Sequence, residues 1–118
     1  QTDKECEYGC AAFGISGLET ALGLLLQLVH RGQVGLPELV RLLTLGPSQT
    51  FGLPARGIQE GAPAELVLFD PEAEWVVDAA KLRSRGKNTP LHGHKLKGQV
   101  RMTLAGSRVY RLPGTELQ

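Results

Sequence analysis

The sequence is poor in several features that mark particular protein classes. Of its 118 residues, 5% are aromatic and two are cysteine, and 13 Lys and Arg nearly balance 12 Asp and Glu. The formal net charge of +1 provides no bulk attraction to nucleic acid or to an anionic membrane surface. The hydrophobic fraction of 42% and the charged fraction of 21% lie in the range of globular proteins. The composition therefore predicts a small folded protein and disfavours a nucleic-acid partner.

The chain also lacks a long uninterrupted hydrophobic segment. Its longest apolar run, residues 18–29, is broken by Glu19, Gly23 and Gln27 and is shorter than the ~20 apolar residues that cross a bilayer. The polar first residues, 1–5, do not resemble a secretory signal. We therefore expect a cytoplasmic protein with no membrane span, and the lack of an initiating Met leads us to expect further sequence upstream.

Helical patterns fill the first half of the chain. Ser16-Gly17-Leu18-Glu19 fits a capping box, in which the Ser16 hydroxyl and the Glu19 carboxylate each accept a hydrogen bond from the other residue's backbone. This pattern predicts a helix that begins near Gly17 and ends at Arg31-Gly32. Its apolar face is made of residues at three- and four-residue spacing, namely Leu18, Ala21, Leu22, Leu25, Leu28 and Val29.

Two shorter helical segments are predicted next. Pro37 is expected at the first position of a second helix, which Gly46-Pro47 ends. Pro47 is expected to start one further turn that ends at Phe51-Gly52. The second helix is predicted to turn four apolar residues inward, namely Leu39, Val40, Leu42 and Leu43.

From Pro54 onward the pattern changes to short apolar runs separated by Gly and Pro. These runs predict four strands, at residues 65–69, 75–77, 100–104 and 107–110. The last two are expected to form a hairpin that turns at Ala105-Gly106. Four short strands make a poor independent sandwich, so we expect this sheet to need strands from elsewhere. The boundary between the helical and β parts is predicted near residues 54–57.

No cluster in the sequence resembles a complete catalytic centre. His92 and His94 could place two imidazoles on Zn²⁺, and Cys6 and Cys10 have a spacing found in some metal and redox sites. Neither pair has further ligands nearby, so we favour a solvated loop for the histidines and free thiols for the cysteines. Ser16 lacks the Gly-x-Ser-x-Gly setting of a hydrolase nucleophile.

A basic segment, residues 83–90, contains Arg83, Arg85 and Lys87 and could bind phosphate or carboxylate. It lacks the Gly-rich turn from strand to helix that nucleotide sites use. We therefore expect it to be a loop between elements, held in place by Asn88 and Pro90.

Phe13-Gly14, just before the predicted first helix, is a candidate binding turn. A glycine lets the main chain approach a ligand closely, and the N–H groups at a helix start favour an anionic or carbonyl oxygen. The same kind of turn also begins ordinary helices. The residues alone therefore leave a binding role and a purely structural role open.

Three blocks of the sequence resemble, in order, the C-terminal part of bacterial dihydroorotases. They are residues 13–22, residues 56–70 and residues 84–90, and the similarity extends from about Glu5 to Tyr110. The middle block resembles the amidohydrolase superfamily in general. The first block, Phe-Gly-Ile-Ser-Gly-Leu-Glu-Thr-Ala-Leu, and the third, Ser-Arg-Gly-Lys-Asn-Thr-Pro, are more specific to dihydroorotase and its close relatives.

The resemblance implies both a fold and an activity. The fold would be α/β, with residues 1–55 forming the last helices of a (β/α)8 metal-dependent hydrolase barrel and residues 56–118 most of a small composite β-sandwich domain. The activity would be the zinc-dependent, reversible cyclisation of N-carbamoyl-L-aspartate to dihydroorotate in pyrimidine biosynthesis. The two zinc ions would have their ligands outside this chain, and no catalytic residue is assigned within it. The main chain of Phe13 and Gly14 matches a substrate contact of the family.

Two other functions and several partners stay open at this stage. A related cyclic amidase, such as an allantoinase or hydantoinase, is one alternative, and a non-catalytic homologue that scaffolds aspartate transcarbamoylase is the other. Expected partners are the small-molecule substrate, the N-terminal remainder of the same enzyme, and either a second copy or aspartate transcarbamoylase. The 118-residue chain is expected to be inactive alone.

Overall fold

The structure is a computed structural model that describes residues 7–10, 13–54 and 57–112. These residues form three α-helices and one three-stranded antiparallel sheet, with two short 3-10 turns at Tyr8–Cys10 and Ala79–Lys81. The helices and strands, in chain order, are α1 (Ala21–His30), α2 (Leu36–Leu43), α3 (Leu45–Phe51), β1 (Glu65–Val76), β2 (Lys95–Ala105) and β3 (Arg108–Arg111). No helix within the described ranges combines the length and apolarity that crossing a membrane requires.

Helix α1 begins four residues later than the sequence pattern predicts. The capping-box prediction was wrong, because Thr20 is the N-cap residue and its hydroxyl donates to the Gly17 carbonyl oxygen at 3.0 Å. The side chains of Ser16 and Glu19 bond to a distant loop instead. Leu18, expected on the apolar face, is 87% exposed.

The predicted end of α1 at Arg31-Gly32 is confirmed. The backbone N–H of Gly32 donates to the Val29 carbonyl, and that of Gln33 donates to the Leu28 carbonyl. Gly32 has a φ of 69°, the left-handed conformation that commonly ends helices.

The short helices α2 and α3 follow the Pro and Gly positions closely. Pro37 lies in the first turn of α2, and Gly52, with a φ of 63°, follows the last residue of α3. Helix α3 begins two residues before Pro47, which stands in the first turn, where a missing N–H costs no helical hydrogen bond. The predicted inward face of α2 was largely wrong. Only Leu39 is buried, while its apolar neighbours Val40, Leu42 and Leu43 are 42–47% exposed.

The sheet has the order β1-β2-β3 with antiparallel pairing throughout. Two of the predicted strands are one continuous strand, β1, whose register with β2 shifts between Leu68 and Phe69 and again between Asp70 and Glu74. At the second shift, Asp70 Oδ1 accepts hydrogen bonds from the backbone of Glu72 and Ala73 at 3.0 and 3.1 Å. This bulge accommodates Pro71, which has no N–H to give to a strand ladder.

Strand β2 begins five residues earlier than the sequence predicts. Lys95 pairs with Val76, and Leu96 pairs with Trp75 and is 2% exposed, so the end of the presumed solvated segment is strand. The hairpin predicted at Ala105-Gly106 is confirmed, because Ala105 pairs with Arg108 across the turn. Gly106 has a φ of 60° there.

The main core contact joins α1 to β2. Leu26 of α1 is fully buried, and Gly23 and Gly98 allow the helix to lie close to the strand. A Cβ on Gly23 would lie 3.2 Å from the Leu96 side chain, and one on Gly98 would lie 2.2 Å from Leu26 Cδ1. The helical and β parts therefore pack on one another at this contact.

Much of the apolar surface remains uncovered. Strand β1 pairs on one side only within the described sheet, and its residues Leu66, Val67 and Leu68 are 37%, 55% and 43% exposed. Such a continuous apolar run is typical of strands that are covered on both faces. The predicted boundary near residues 54–57 contains two residues, 55 and 56, outside the described ranges.

Candidate functional site

The candidate binding turn lies on the surface, before helix α1. Gly14 adopts a φ of 70°, a left-handed conformation that favours glycine. A Cβ built on Gly14 would meet nothing within 4 Å, so the backbone angle, and not crowding, explains this glycine. The Phe13 side chain is 92% exposed.

Asn88 connects this turn to residues 83–88 of the basic segment. Its side-chain amide Nδ2 donates to the Gly14 carbonyl oxygen at 2.8 Å. Its own backbone carbonyl accepts a hydrogen bond from the Ser16 backbone N–H at 2.6 Å. One residue thus bonds both sides of Ile15, through its side chain and its main chain.

Ser16 makes a second connection to the same segment. Its hydroxyl Oγ donates to the Gly86 carbonyl oxygen at 2.7 Å. A Cβ on Gly86 would lie 2.7 Å from the Ser16 Oγ, closer than non-bonded atoms approach, so a side chain at position 86 would displace the Ser16 hydroxyl. The serine that the sequence assigned to helix capping therefore holds a loop 70 positions away.

Glu19 provides the third connection. Its carboxylate oxygens accept hydrogen bonds from the backbone N–H groups of Arg83 and Ser84 at 3.0 and 2.9 Å. Partial burial favours the neutral acid, but these hydrogen bonds and the charge of Lys87 outweigh burial, so the pKa of Glu19 is lowered. The Lys87 ammonium also donates to the Leu82 carbonyl oxygen.

Together these bonds join residues 13–19, in the first sequence block, to residues 83–88, which overlap the third block. We call residues 13–19 and 83–88 the turn–loop clamp. The interpretation of the basic segment as a loop held by Asn88 fits this geometry. The sequence did not predict the bonds from Ser16 and Glu19 to residues 83–86, because both residues matched a local helix-capping pattern, which assigned them partners within the helix. The joint resemblance of both blocks to one family was the available signal.

The other chemistry-bearing candidates do not converge. No group of three or more His, Cys, Asp or Glu that could hold a metal occurs in the described portion of the chain. His92 Nδ1 accepts a hydrogen bond from the Ala79 backbone at 3.1 Å, which gives this histidine a structural contact. His94 and Cys10 are exposed, and the thiol of Cys10 is free. Cys6 lies outside the described residues.

An apolar groove lies away from the turn, among the described residues. It has a volume of about 800 Å³ and runs between helices α1 and α2 and the first half of β1. Its lining includes Leu22, Leu39, Val40, Leu43, Leu66 and Phe69. The groove has the character of an uncovered hydrophobic core, and not that of a polar catalytic pocket.

Comparison with known proteins relates the chain to cyclic-amide hydrolases. A dihydroorotase from Syntrophus aciditrophicus is 48% identical over 108 residues, which span 92% of this chain and 25% of that protein. Dihydroorotases from Anaeromyxobacter sp. and Thermoanaerobacter sp. are each 44% identical, over 112 and 108 residues. A solved structure of D-hydantoinase matches with a TM-score of 0.71 and 33% identity, covering 81% of this chain and 21% of that one. No protein-family model matches.

The resemblance to dihydroorotase read from the sequence is thereby confirmed. The chain spans about a quarter of the length of the curated relatives that it matches. The similarity to D-hydantoinase agrees with the observed combination of helices and a small antiparallel sheet.

Proposed function

We propose that this chain is the C-terminal part of a dihydroorotase, which interconverts N-carbamoyl-L-aspartate and dihydroorotate in pyrimidine biosynthesis in the cytoplasm. The observation that carries the proposal is the identity of 40–48% to dihydroorotases over 91–95% of this chain. The D-hydantoinase match, at 33% identity, favours a related cyclic amidase as the second candidate, but less strongly.

The uncovered apolar surface supports a place in a larger enzyme. We propose that residues 1–55 contribute the last helices of a (β/α)8 barrel and that residues 56–118 contribute most of a composite β-sandwich. The one-sided pairing of β1 and the groove lined by α1 and α2 would then be covered by the rest of the enzyme. The Leu and Val side chains there are already about half buried, so covering the remaining surface of each would contribute roughly 1 kcal/mol.

The role that we propose for this chain in the reaction is to contact the substrate. The main chain of Phe13 and Gly14 would hold the dihydroorotate ring, in the conformation that the positive φ of Gly14 permits. Peptide groups suit this task because dihydroorotate presents amide and carboxylate groups that pair with backbone donors and acceptors.

The zinc chemistry of the proposed enzyme would come from residues outside this chain. The described residues do not fit a zinc site, since they bring no three potential ligands together and His92 is bonded to the backbone. When bound elsewhere in the enzyme, zinc would polarise the ring amide. We accordingly expect the 118-residue chain to be inactive alone.

The function is tested by assaying the full-length enzyme with dihydroorotate and with a hydantoin, followed by a variant at the turn. We expect turnover of dihydroorotate, and a preference for the hydantoin would favour the second candidate. Gly14→Val should lower kcat/KM about tenfold or more, because valine resists the φ of 70° that presents the turn, while zinc content stays unchanged.

A matched control separates substrate contact from backbone strain. Gly61 also has a positive φ, 79°, and a Cβ added there would meet nothing within 4 Å, so Gly61→Val imposes a similar strain away from the turn. Equal kcat/KM values for the two variants would contradict the assignment of Phe13 and Gly14.

A further inference from the structure

We infer that Asn88 is a positioning residue, which fixes the orientation in which Phe13 and Gly14 meet the substrate. The inference rests on the proposed function, because it gives the turn–loop clamp a purpose in substrate binding. Its basis is a pair of hydrogen bonds: the Asn88 side-chain amide donates to the Gly14 carbonyl, and the Asn88 backbone carbonyl accepts from the Ser16 N–H.

The two bonds act on consecutive peptide groups. A trans peptide group is planar, so its carbonyl oxygen and its N–H point in opposite directions. The bond to the Gly14 oxygen therefore orients the whole Gly14–Ile15 peptide group, and the bond from the Ser16 N–H orients the Ile15–Ser16 group. With both groups fixed by Asn88, the C-terminal side of Gly14 is anchored, and the backbone angles of Gly14, with its φ of 70°, then set the direction in which the turn continues to Phe13.

The segment that carries Asn88 is itself held firmly. Leu82 and Thr89, just before and after it, are 7% and 9% exposed. Between them, Glu19 bonds two backbone N–H groups and Ser16 bonds the Gly86 carbonyl. A side chain in such a segment can impose its geometry on a surface turn, because the buried residues Leu82 and Thr89 anchor both ends of the segment independently of the turn.

The side-chain amide is the specific requirement. Nδ2 must donate to a carbonyl oxygen, which a carboxylate at the same place cannot do. Asn88→Asp keeps the size and shape of the side chain but sets a negative oxygen against the Gly14 oxygen. Asn88→Ala, the second variant, removes the donor without adding charge. Arg85→Ala is the matched control, since Arg85 is an exposed residue of the same segment.

The experiment measures steady-state kinetics of the full-length enzyme with dihydroorotate, together with its thermal midpoint and zinc content. We expect Asn88→Asp and Asn88→Ala to raise KM about fivefold or more with little change in kcat, because the ground state and transition state lose the same contact. The midpoint and the zinc content should match those of Arg85→Ala. A KM equal to that of Arg85→Ala, or a loss confined to kcat, would overturn the inference.

Hydrogen exchange followed by mass spectrometry tests the role of Asn88 independently of the proposed function. We expect the peptide covering residues 13–19 to exchange faster in both Asn88 variants than in Arg85→Ala. If the wild-type enzyme does not turn over dihydroorotate, the proposed function is wrong and the exchange result decides the role of Asn88. Unchanged exchange over residues 13–19 would overturn it, and faster exchange would support Asn88 as the residue that fixes the turn.

Discussion

The contact between Gly98 of β2 and Leu26 of α1 leads to a quantitative prediction about stability. Gly98 has a φ of 99°, and a Cβ added there would lie 2.2 Å from Leu26 Cδ1 and 3.6 Å from Leu26 Cβ. Carbon atoms without a bond between them normally stay about 3.5–4.0 Å apart. Gly98→Ala therefore introduces two separate costs, one in the backbone and one in the packing of α1 on the sheet.

Each cost has an expected size. Holding an alanine in a left-handed conformation costs roughly 1–2 kcal/mol. Forcing a methyl group into a packed core costs about 1–3 kcal/mol. Gly98→Ala should therefore lower the free energy of unfolding by about 2–5 kcal/mol, a large part of the roughly 5–15 kcal/mol that stabilises a typical domain.

A double-mutant cycle separates the two costs. Leu26→Ala alone should cost about 2–5 kcal/mol, because Leu26 is fully buried. It also removes Cγ and Cδ1 and leaves only Cβ, at an ordinary contact distance from the new methyl group. In that background Gly98→Ala should cost only the backbone share, so we expect the two changes to be non-additive by about 1–3 kcal/mol.

Urea unfolding of the chain measures these differences. The fluorescence of Trp75, the only tryptophan, reports on the region because its Nε1 donates to the Gly98 carbonyl oxygen at 3.0 Å. Gly106→Ala is the control, since Gly106 has a φ of 60° and no neighbour within 4 Å. Equal losses for Gly98→Ala and Gly106→Ala, or strict additivity in the cycle, would refute the packing argument.

Three further predictions concern polar contacts. The ionised form of Glu19 is favoured in the folded protein, so the stability that Glu19 contributes is present above pH 4.5 and is lost as the pH falls through its lowered pKa. Glu19→Gln should therefore show a smaller decline of the urea midpoint in acid than the wild type. Equal declines in the two proteins would contradict this. Gly86→Ala should cost about 1 kcal/mol of stability by displacing the Ser16 hydroxyl, and little in a Ser16→Ala background. Urea unfolding of the wild type, the two single variants and the double variant measures both costs, and an equal cost in the two backgrounds would contradict this prediction. Asp70→Asn should cost little stability, because it loses only a partly exposed ion pair to Arg101. Asp70→Ala also loses the bulge hydrogen bonds and should lower the urea midpoint further; equal midpoints for the two variants would contradict that ranking.

Local sequence patterns predicted where helices and turns end better than they predicted which residues contact one another. Gly32, Gly52 and Gly106 mark helix ends and a hairpin because the positive φ of each is a local property that glycine supplies. Strand β1 was divided at Pro71 because a proline normally interrupts a strand ladder, and only the pairing with β2 shows that a bulge carries the strand past it.

The candidate site depended on distant partners that spacing does not contain. Ser16 and Glu19 satisfy a local capping pattern as well as the observed bonds to residues 83–86, and only the folded chain decides between them. The helix face at Leu42 and Leu43 was assigned inward because the pattern reports apolarity and not what covers it. The resemblance to dihydroorotase was the one signal that linked residues 13–22 with residues 84–90.

The distance along the chain between the two sides of the turn–loop clamp has a consequence for synthesis. Gly14 and Asn88 are 74 positions apart, so the turn leaves the ribosome long before the residue that orients it. Helix α1 can form locally within microseconds, but the clamp must wait for loop closure over most of the chain. The turn therefore reaches its final geometry late in biogenesis, and a nascent chain interrupted before residue 88 would carry the Phe-Gly motif without the conformation that gives it a purpose.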